Sequence, residues 1–259
     1  LLVLAWLAFL FGLAAIGEAS AIVKGTPSTL SPHVVRIHAG HHCSGAAIAR
    51  RAVITAAHCL ARRMHVVAGG VSIGVARSAR SATLDDGRTV SVKGDAAILL
   101  LSSPLPASVV PVTVGEGEGE DYTIAGFGTA DERYRGAFGS LREARLIAAG
   151  PYALVDPNRS GSISASACHG DSGGPVLHGS VLVGVISRAA HPHPRIACGH
   201  LTRWAPIVIS ATPAETTGRA AASPDGGVHL PRRHTARPRS ATLTSTQRVA
   251  NKPARAPLE

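Results

Sequence analysis

The residues of this chain best suited to chemistry stand together at positions 168–175, Cys-His-Gly-Asp-Ser-Gly-Gly-Pro. Ser172 offers a hydroxyl nucleophile, and the glycines around it allow backbone conformations with positive φ that other residues avoid. Such a backbone can turn successive N–H groups toward one point, as an oxyanion hole requires. The same composition is also typical of an ordinary Gly-rich turn between strands. Residues elsewhere in the chain are needed to distinguish these two interpretations.

A serine hydroxyl is a weak nucleophile near neutral pH, so it needs a base within hydrogen-bond distance. His58 is the candidate base because imidazole titrates near neutrality, and it stands at the end of the apolar run 53–59. The alternative is a histidine satisfied in the core or at the surface. A Cys43–Cys59 bridge, if it forms, would hold His58 against the preceding strand.

Asp95 is the candidate acid, because it directly precedes the six apolar residues 96–101. A carboxylate at the mouth of a buried strand is costly unless it is paired. Beside an imidazole it would fix the tautomer and stabilise the imidazolium. The alternative, an aspartate that faces water at a strand end, fits better the acids in polar or Gly-rich surroundings, which are Asp85, Asp86, Asp121 and Asp131.

The composition predicts that short strands and turns position these residues. Hydrophobic residues make up 45% of the chain but aromatic residues only 3%, so Val, Ile, Leu and Ala must form the core. The charged residues 131–145 are expected to form a mobile loop, and residues 178–180 to turn a hairpin. Strand-like runs occupy 34–38, 46–57, 64–72, 89–93, 96–101, 122–128, 176–177, 181–187 and 201–209.

Both ends of the chain are expected to lie outside the folded domain. Residues 1–17 are almost wholly apolar and Ala19-Ser20-Ala21 follows, so residues 1–21 are predicted to be a secretory signal peptide. A retained membrane anchor is the alternative. Residues 211–259 are predicted to be a disordered basic tail, since 212–259 hold eight Lys or Arg against three acids. The tail is either simply solvated or holds the protein on a cell wall or acidic polymer.

Four cysteines, Cys43, Cys59, Cys168 and Cys198, fit two disulfides and an oxidising compartment. Their even number leaves the connectivity open. No two of them form a Cys-x-x-Cys pair, which disfavours a zinc site of the usual spacing.

Three motifs together resemble the trypsin/chymotrypsin-like serine proteases. They are Thr55-Ala-Ala-His-Cys59, Asp95 before an apolar strand, and Gly170-Asp-Ser-Gly-Gly-Pro175, in that family's order and with both cysteine pairs in the family's places. The resemblance covers about Ile22 to Ile209. It implies an all-β domain over residues 22–210, made of two packed six-stranded antiparallel β-barrels with a short C-terminal helix.

The resemblance also implies roles for individual residues. The catalytic triad would be His58, Asp95 and Ser172, and the backbone N–H groups of Gly170 and Ser172 would form the oxyanion hole. In this family a newly freed N-terminal isoleucine inserts its α-amino group beside the aspartate before the nucleophile. Ile22 and Asp171 match those residues. Because the A-x-A site directly precedes Ile22, we hypothesise that signal peptidase itself frees this N-terminus.

Substrate binding is implied at positions that differ from the usual family pattern. Ser166 falls at the floor of the primary specificity pocket, where a trypsin-like pocket has Asp, so cleavage after Arg or Lys is not expected. Ser187, Arg188 and Ala189 resemble the segment that pairs with the substrate backbone. Gly199 would supply the other wall, and His169 lies at a variable rim position. Such a pocket is expected to accept medium or large apolar side chains at the residue before the scissile bond, and small aliphatic side chains as a second preference. The loop 190–196, with its His-Pro-His-Pro sequence, would shape or block the pocket.

The sequence thus predicts a secreted, monomeric serine endopeptidase acting on proteins or peptides. No cofactor, metal or nucleic-acid partner is expected, and no stable membrane association after signal cleavage. The alternative is a binding or regulatory protein that keeps the protease fold without useful activity. A metal-binding role for the 13 histidines is disfavoured because they are scattered and lack neighbouring carboxylates.

Overall fold

The computed structural model describes residues 21–129, 139–159 and 161–210. These residues form strands and one short 3-10 helix, η1 (Ala57–Cys59). The strands are β1 (Thr26–Pro27), β2 (Val34–His38), β3 (His42–Ala49), β4 (Ala52–Thr55), β5 (His65–Ala68), β6 (Val71–Ala79), β7 (Ser81–Thr83), β8 (Thr89–Val92), β9 (Ala97–Leu101), β10 (Asp121–Gly126), β11 (Arg142–Ala148), β12 (Ala153–Val155), β13 (Pro175–His178), β14 (Val181–Ala190) and β15 (Leu201–Ser210).

Two antiparallel barrels organise these strands. The first closes through β2, β3, β4, β9, β6 and β5. The second closes through β10, β11, β12, β15, β14 and β13, because the short strand β12 pairs with both β11 and β15. Strand β1 adds to β11, and β8 and β7 extend the second sheet from β15. The expected all-β architecture of two six-stranded barrels is confirmed.

Aliphatic side chains fill both barrels and the space between them, as the low aromatic content requires. The first barrel is centred on residues such as Val35, Val53 and Leu99. The second is centred on residues such as Ile124 and Ile186. A third cluster draws from strands of both barrels and joins them; it includes Ala46, Ile54, Ile98, Leu177, Leu182, Val185 and Ile207.

Several sequence-based boundaries are corrected by the structure. The run 46–57 is two strands, because the adjacent Arg50 and Arg51 turn outward to solvent between them. The run 64–72 is divided by Gly69 and Gly70, whose φ values of +54° and +79° make a turn that few other residues adopt. Of the expected mobile loop, residues 142–145 belong to strand β11. The expected hairpin turn after His178 is confirmed.

Strand β15 is the last element of the described residues. No C-terminal helix occurs within the described residues, since β15 continues to Ser210 and its residues 207–210 pair with β8. Residues 1–20, 130–138 and 211–259, where most of the signal peptide, part of the charged loop and the basic tail were predicted, lie outside the described residues. Among the helices described, none has the length and apolar character needed to cross a membrane.

Two disulfides connect the cysteines, Cys43–Cys59 and Cys168–Cys198. The first links β3 to η1, and so holds His58 at the end of the first barrel's strand β4. The second ties the segment before Ser172 to the loop after β14. Each disulfide therefore fixes one of the two segments that carry the candidate nucleophile and base.

Replacing Cys43 and Cys59 together by serine is expected to lower the free energy of unfolding by about 3 kcal/mol, because the bridge closes a loop with a sequence separation of 16. Urea unfolding followed by circular dichroism measures this loss. The Cys168/Cys198 double variant is the matched comparison, and its separation of 30 predicts a slightly larger loss. A loss below about 1 kcal/mol for both pairs would contradict this role.

Candidate active site

Strand pairing places Asp95 beside His58. Strand β4 pairs with β9 up to Thr55 and Ala97, and the N–H of Ala57 donates to the Asp95 carbonyl at 3.2 Å. His58 Nδ1 then lies 2.8 Å from Asp95 Oδ2, and the His58 backbone N–H donates to Asp95 Oδ1 at 2.9 Å. The carboxylate thus orients both the ring and the backbone of the histidine.

The Asp95 carboxyl is held in its ionised form. Partial burial opposes ionisation, but hydrogen bonds from the Ser187 hydroxyl and from His58 together outweigh it and keep the pKa of Asp95 below its ordinary value. Ser187 Oγ donates to Asp95 Oδ2 at 2.6 Å. Since an ionised carboxylate only accepts hydrogen bonds, the proton of neutral His58 sits on Nδ1. Its Nε2 is therefore the basic nitrogen.

The loop that carries Ser172 is held between both barrels. The Ser44 N–H donates to the Ser172 carbonyl at 2.8 Å, and the Gly173 N–H donates to the Ile186 carbonyl at 2.7 Å. Gly173 has φ of +82°, and a Cβ there would lie 2.0 Å from Thr55 Oγ1. Only glycine fits this position, which explains part of the Gly-rich sequence.

Ser172 and His58 line the same cleft, which has a volume of about 800 Å³. Ser172 Oγ lies 3.4 Å from the Ser187 carbonyl, and no hydrogen bond joins it to His58 among the described residues. In the absence of substrate such bonds are often long, and they tighten in the substrate complex. The N–H groups of Gly170 and Ser172 donate to no other group in the described part of the chain, so both are available for an oxyanion.

The Asp171 carboxyl is fully buried and accepts three backbone hydrogen bonds. Oδ2 accepts from Ile22 at 3.1 Å and Cys168 at 2.9 Å, and Oδ1 accepts from Gly128 at 2.8 Å. Burial raises the pKa of Asp171 to about 6, and the three N–H donors offset only part of that effect. Because Ala21 remains attached in this chain, the Ile22 nitrogen is a neutral amide, so no cation faces this carboxyl.

The residues predicted to bind substrate separate into two groups. His169, Ser187, Arg188 and Ala189 line the cleft around Ser172. Ser166 is fully buried behind it, where its hydroxyl donates to the Ala167 carbonyl at 2.9 Å and accepts from the Gly199 N–H at 2.7 Å. Ser166 and Gly199 are thus joined to each other and are absent from the described lining of the cleft.

The loop with the His-Pro-His-Pro sequence stays outside the cleft. His191 Nε2 lies 2.8 Å from the Ser162 carbonyl, which connects this loop to the segment before Ser166. None of residues 190–196 is among the described residues that line the cleft. Among the described residues this loop therefore contacts the segment before Ser166 and does not line the cleft.

Comparison with known proteins identifies the family. The sequence model described as Trypsin matches residues 22–207. The chain belongs to the trypsin family. Its similarity to Trypsin alpha of Drosophila erecta is 29% identity over 195 residues, covering 64% of this chain and 76% of that protein. Its similarity to Serine protease SP24D of Anopheles gambiae is 33% identity over 183 residues, covering 60% of this chain and 65% of that protein.

A solved structure of neuropsin, a serine protease expressed in the limbic system of mouse brain, supports the same fold. It superposes with a TM-score of 0.51 at 20% identity and covers 71% of this chain and 93% of that one. At that identity the similarity concerns the fold alone. With the family established from sequence, this trypsin-family chain is a serine-type endopeptidase.

The structure adds functional contacts that motifs did not identify in this trypsin-family chain. Ser187, predicted to bind substrate, also bonds Asp95 through its hydroxyl. Ser44 Oγ donates to the Gly170 carbonyl and accepts from the Phe127 N–H, both at 2.9 Å. Both contacts join residues far apart in sequence, so only the fold reveals them.

Two groups of the described histidines and cysteines are close enough to hold a metal ion. They are His41 with Cys43 and Cys59, and His169 with Cys168 and Cys198. All four cysteines are in disulfides, so neither group offers a thiolate ligand.

Gly128→Ala is expected to lower the free energy of unfolding by at least about 2 kcal/mol, because its Cβ would lie 2.2 Å from the His169 carbonyl oxygen and 2.6 Å from the Asp171 nitrogen. Thermal and urea unfolding measure the loss. The control is Gly74→Ala, where the nearest atom is the movable Ser102 Oγ at 3.3 Å and the change should stay within about 0.5 kcal/mol. Equal stabilities of the two variants would refute the tight packing around Asp171.

Proposed function

We propose that this trypsin-family chain is a secreted endopeptidase that cleaves peptide bonds through an acyl-enzyme on Ser172. The observation that supports it is the His58–Asp95 pair, with an Nδ1 to Oδ2 distance of 2.8 Å, in the cleft that Ser172 also lines. The ionised Asp95 leaves His58 Nε2 as the base, and the free N–H groups of Gly170 and Ser172 serve as the oxyanion hole.

The reaction follows from these positions. Ser172 Oγ attacks the scissile carbonyl while His58 Nε2 accepts the hydroxyl proton. The carbonyl oxygen becomes an anion that the N–H groups of Gly170 and Ser172 stabilise. The C–N bond then breaks, and His58 gives its proton to the leaving amine. Water, deprotonated by His58, hydrolyses the ester and restores Ser172.

The mature enzyme begins at Ile22 in this proposal. The Ile22 nitrogen already lies 3.1 Å from Asp171 Oδ2, and removal of Ala21 would convert it from an amide to an ammonium. The ammonium would supply the cation that the buried carboxylate needs. Because the A-x-A pattern ends at Ala21, signal peptidase is the protease proposed to make this cut.

Location and substrate class follow from the same features. Two disulfides fit an oxidising compartment, which supports secretion to an extracellular or periplasmic space. Asp95 is the one carboxylate among the described residues that line the cleft, and its oxygens already accept hydrogen bonds from His58 and Ser187. No carboxylate of the described lining is thus left to pair with Arg or Lys, so the proposed substrates are proteins or peptides with apolar side chains before the scissile bond. The enzyme is proposed to act as a monomer without a cofactor or nucleic acid.

A fluorophosphonate probe tests the nucleophile. The protein that begins at Ile22 should be labelled on Ser172, and Ser172→Ala should abolish both labelling and peptide hydrolysis, because the hydroxyl oxygen forms the covalent bond. Ser102→Ala, at a serine outside the cleft lining, is the control and should label normally. Labelling that survives Ser172→Ala, or none in the mature protein, would favour an inactive protease-fold binding protein.

The N-terminus is tested by comparing proteins that begin at Ile22 and at Ala21. The Ala21 form should be labelled at least about 100-fold more slowly, because without the Ile22 ammonium the loop with Gly170 is less stabilised in its ordered form, and loss of one oxyanion donor costs about that much. Ile22→Val is the conservative control and should keep most of the activity. Equal rates, or a secreted protein that starts at another residue by N-terminal sequencing, would remove this proposal.

The activity of the protein that begins at Ile22 is expected to fall at alkaline pH. A free α-amino group titrates near about pH 7.7–8.0, and pairing with Asp171 would raise the pKa of the Ile22 amine. The ordered loop is therefore fully stabilised below that range and loses activity as pH rises through the raised pKa. A rate profile that stays flat to alkaline pH would contradict the pairing.

A further inference from the structure

Arg188 is an exposed cation in the wall of the cleft. It follows Ser187, whose carbonyl lies 3.4 Å from Ser172 Oγ, and it is one of the residues that line the cleft. Its guanidinium forms no hydrogen bond or ion pair with any residue that the structure describes. A charged side chain beside the nucleophile is thus available to a bound peptide.

A second arginine stands directly opposite. Strands β14 and β15 pair Arg188 with Arg203, and both side chains are exposed. The pair stands directly after a register shift between Ile186 and Arg188, and like charges that face each other across neighbouring strands repel. Arg203 also has no hydrogen bond or ion pair with the described residues. Two guanidinium groups at such a position favour an anion between them, and a carboxylate fits their planar donor geometry.

No acidic side chain of the described cleft competes for these arginines. Asp95 is the one carboxylate among the described lining residues, and both of its oxygens already accept hydrogen bonds from His58 and Ser187. The other titratable groups in the lining are histidines, namely His41, His42, His58 and His169. Arg188 therefore gives the cleft a permanent positive charge near neutral pH.

We propose that Arg188, assisted by Arg203, forms an anion-binding subsite that selects peptides with Asp or Glu at one of the four positions before the scissile bond. The inference rests on the proposed endopeptidase function and adds a substrate class to it. An exposed ion pair of this kind gives about a 2- to 5-fold preference. The preference should weaken as salt screens the charges.

Matched peptides test the subsite. The peptides of one set share a sequence and differ only in carrying Asp, Asn or Lys at one of the four positions before the scissile bond. For each peptide, kcat/KM is measured at about 20 mM and about 500 mM NaCl. At one position or more, Asp should exceed Asn by about 2- to 5-fold at low salt, and Lys should rank last. Arg188→Gln should abolish the preference, and Arg203→Gln should reduce it. Arg77→Gln, an exposed arginine outside the cleft lining, should leave it unchanged.

The outcomes separate the subsite from the enzyme function. If Asn peptides are cut and Asp gives no advantage at any position, the subsite is wrong and the endopeptidase function stands. If no peptide is cut, the proposed function fails, and the subsite is tested by fluorescence anisotropy of the same peptides on Ser172→Ala. Tighter binding of the Asp peptide, lost in Ser172→Ala with Arg188→Gln, supports the subsite; equal binding overturns it.

Discussion

The buried carboxyl of Asp171 is the constraint on which the site depends. Its oxygens accept N–H groups from Ile22, Gly128 and Cys168, three segments far apart in sequence. A buried carboxylate is costly unless its donors are in place, so these three hydrogen bonds favour the arrangement of the segments around it. Ser172 is the next residue, so the proposed nucleophile takes its position from this arrangement. Positions 126 and 128 therefore need glycine, because a side chain at either Gly126 or Gly128 would collide with Asp171.

The pKa values of the two carboxyls near Ser172, those of Asp95 and Asp171, are shifted in opposite directions. Asp95 accepts hydrogen bonds from His58 and Ser187, which keep its pKa below the ordinary value, so it stays ionised and can stabilise an imidazolium. Burial raises the pKa of Asp171 to about 6 while Ala21 is attached. Between about pH 4 and 6 the folded chain that carries Ala21 then keeps a proton that the unfolded chain releases, so its stability falls as pH rises through that window. An ammonium at Ile22 would remove this penalty.

The sequence predicted the features that local chemistry encodes. The segments with His58, Asp95 and Ser172 and the hairpin after His178 follow from motifs, apolar runs and turn residues, and the two-barrel fold was implied by the family resemblance. Features that need long-range contacts were missed. The Ser44 hydroxyl meets the Gly170 carbonyl across 126 residues of sequence, and the Ser187 hydroxyl reaches Asp95 instead of serving only the substrate. The burial of Ser166 against Gly199 likewise depends on how two distant segments pack.

Titration of Asp171 tests most directly whether its buried carboxyl pairs with an Ile22 ammonium, as we propose. Carbon-13 NMR of labelled aspartate in Ser172→Ala, which prevents self-cleavage, measures the Asp171 pKa in chains that begin at Ala21 and at Ile22. We predict an Asp171 pKa near 6 with Ala21 attached and a value below about 4 once the ammonium is free. The same pKa in both chains would contradict this pairing.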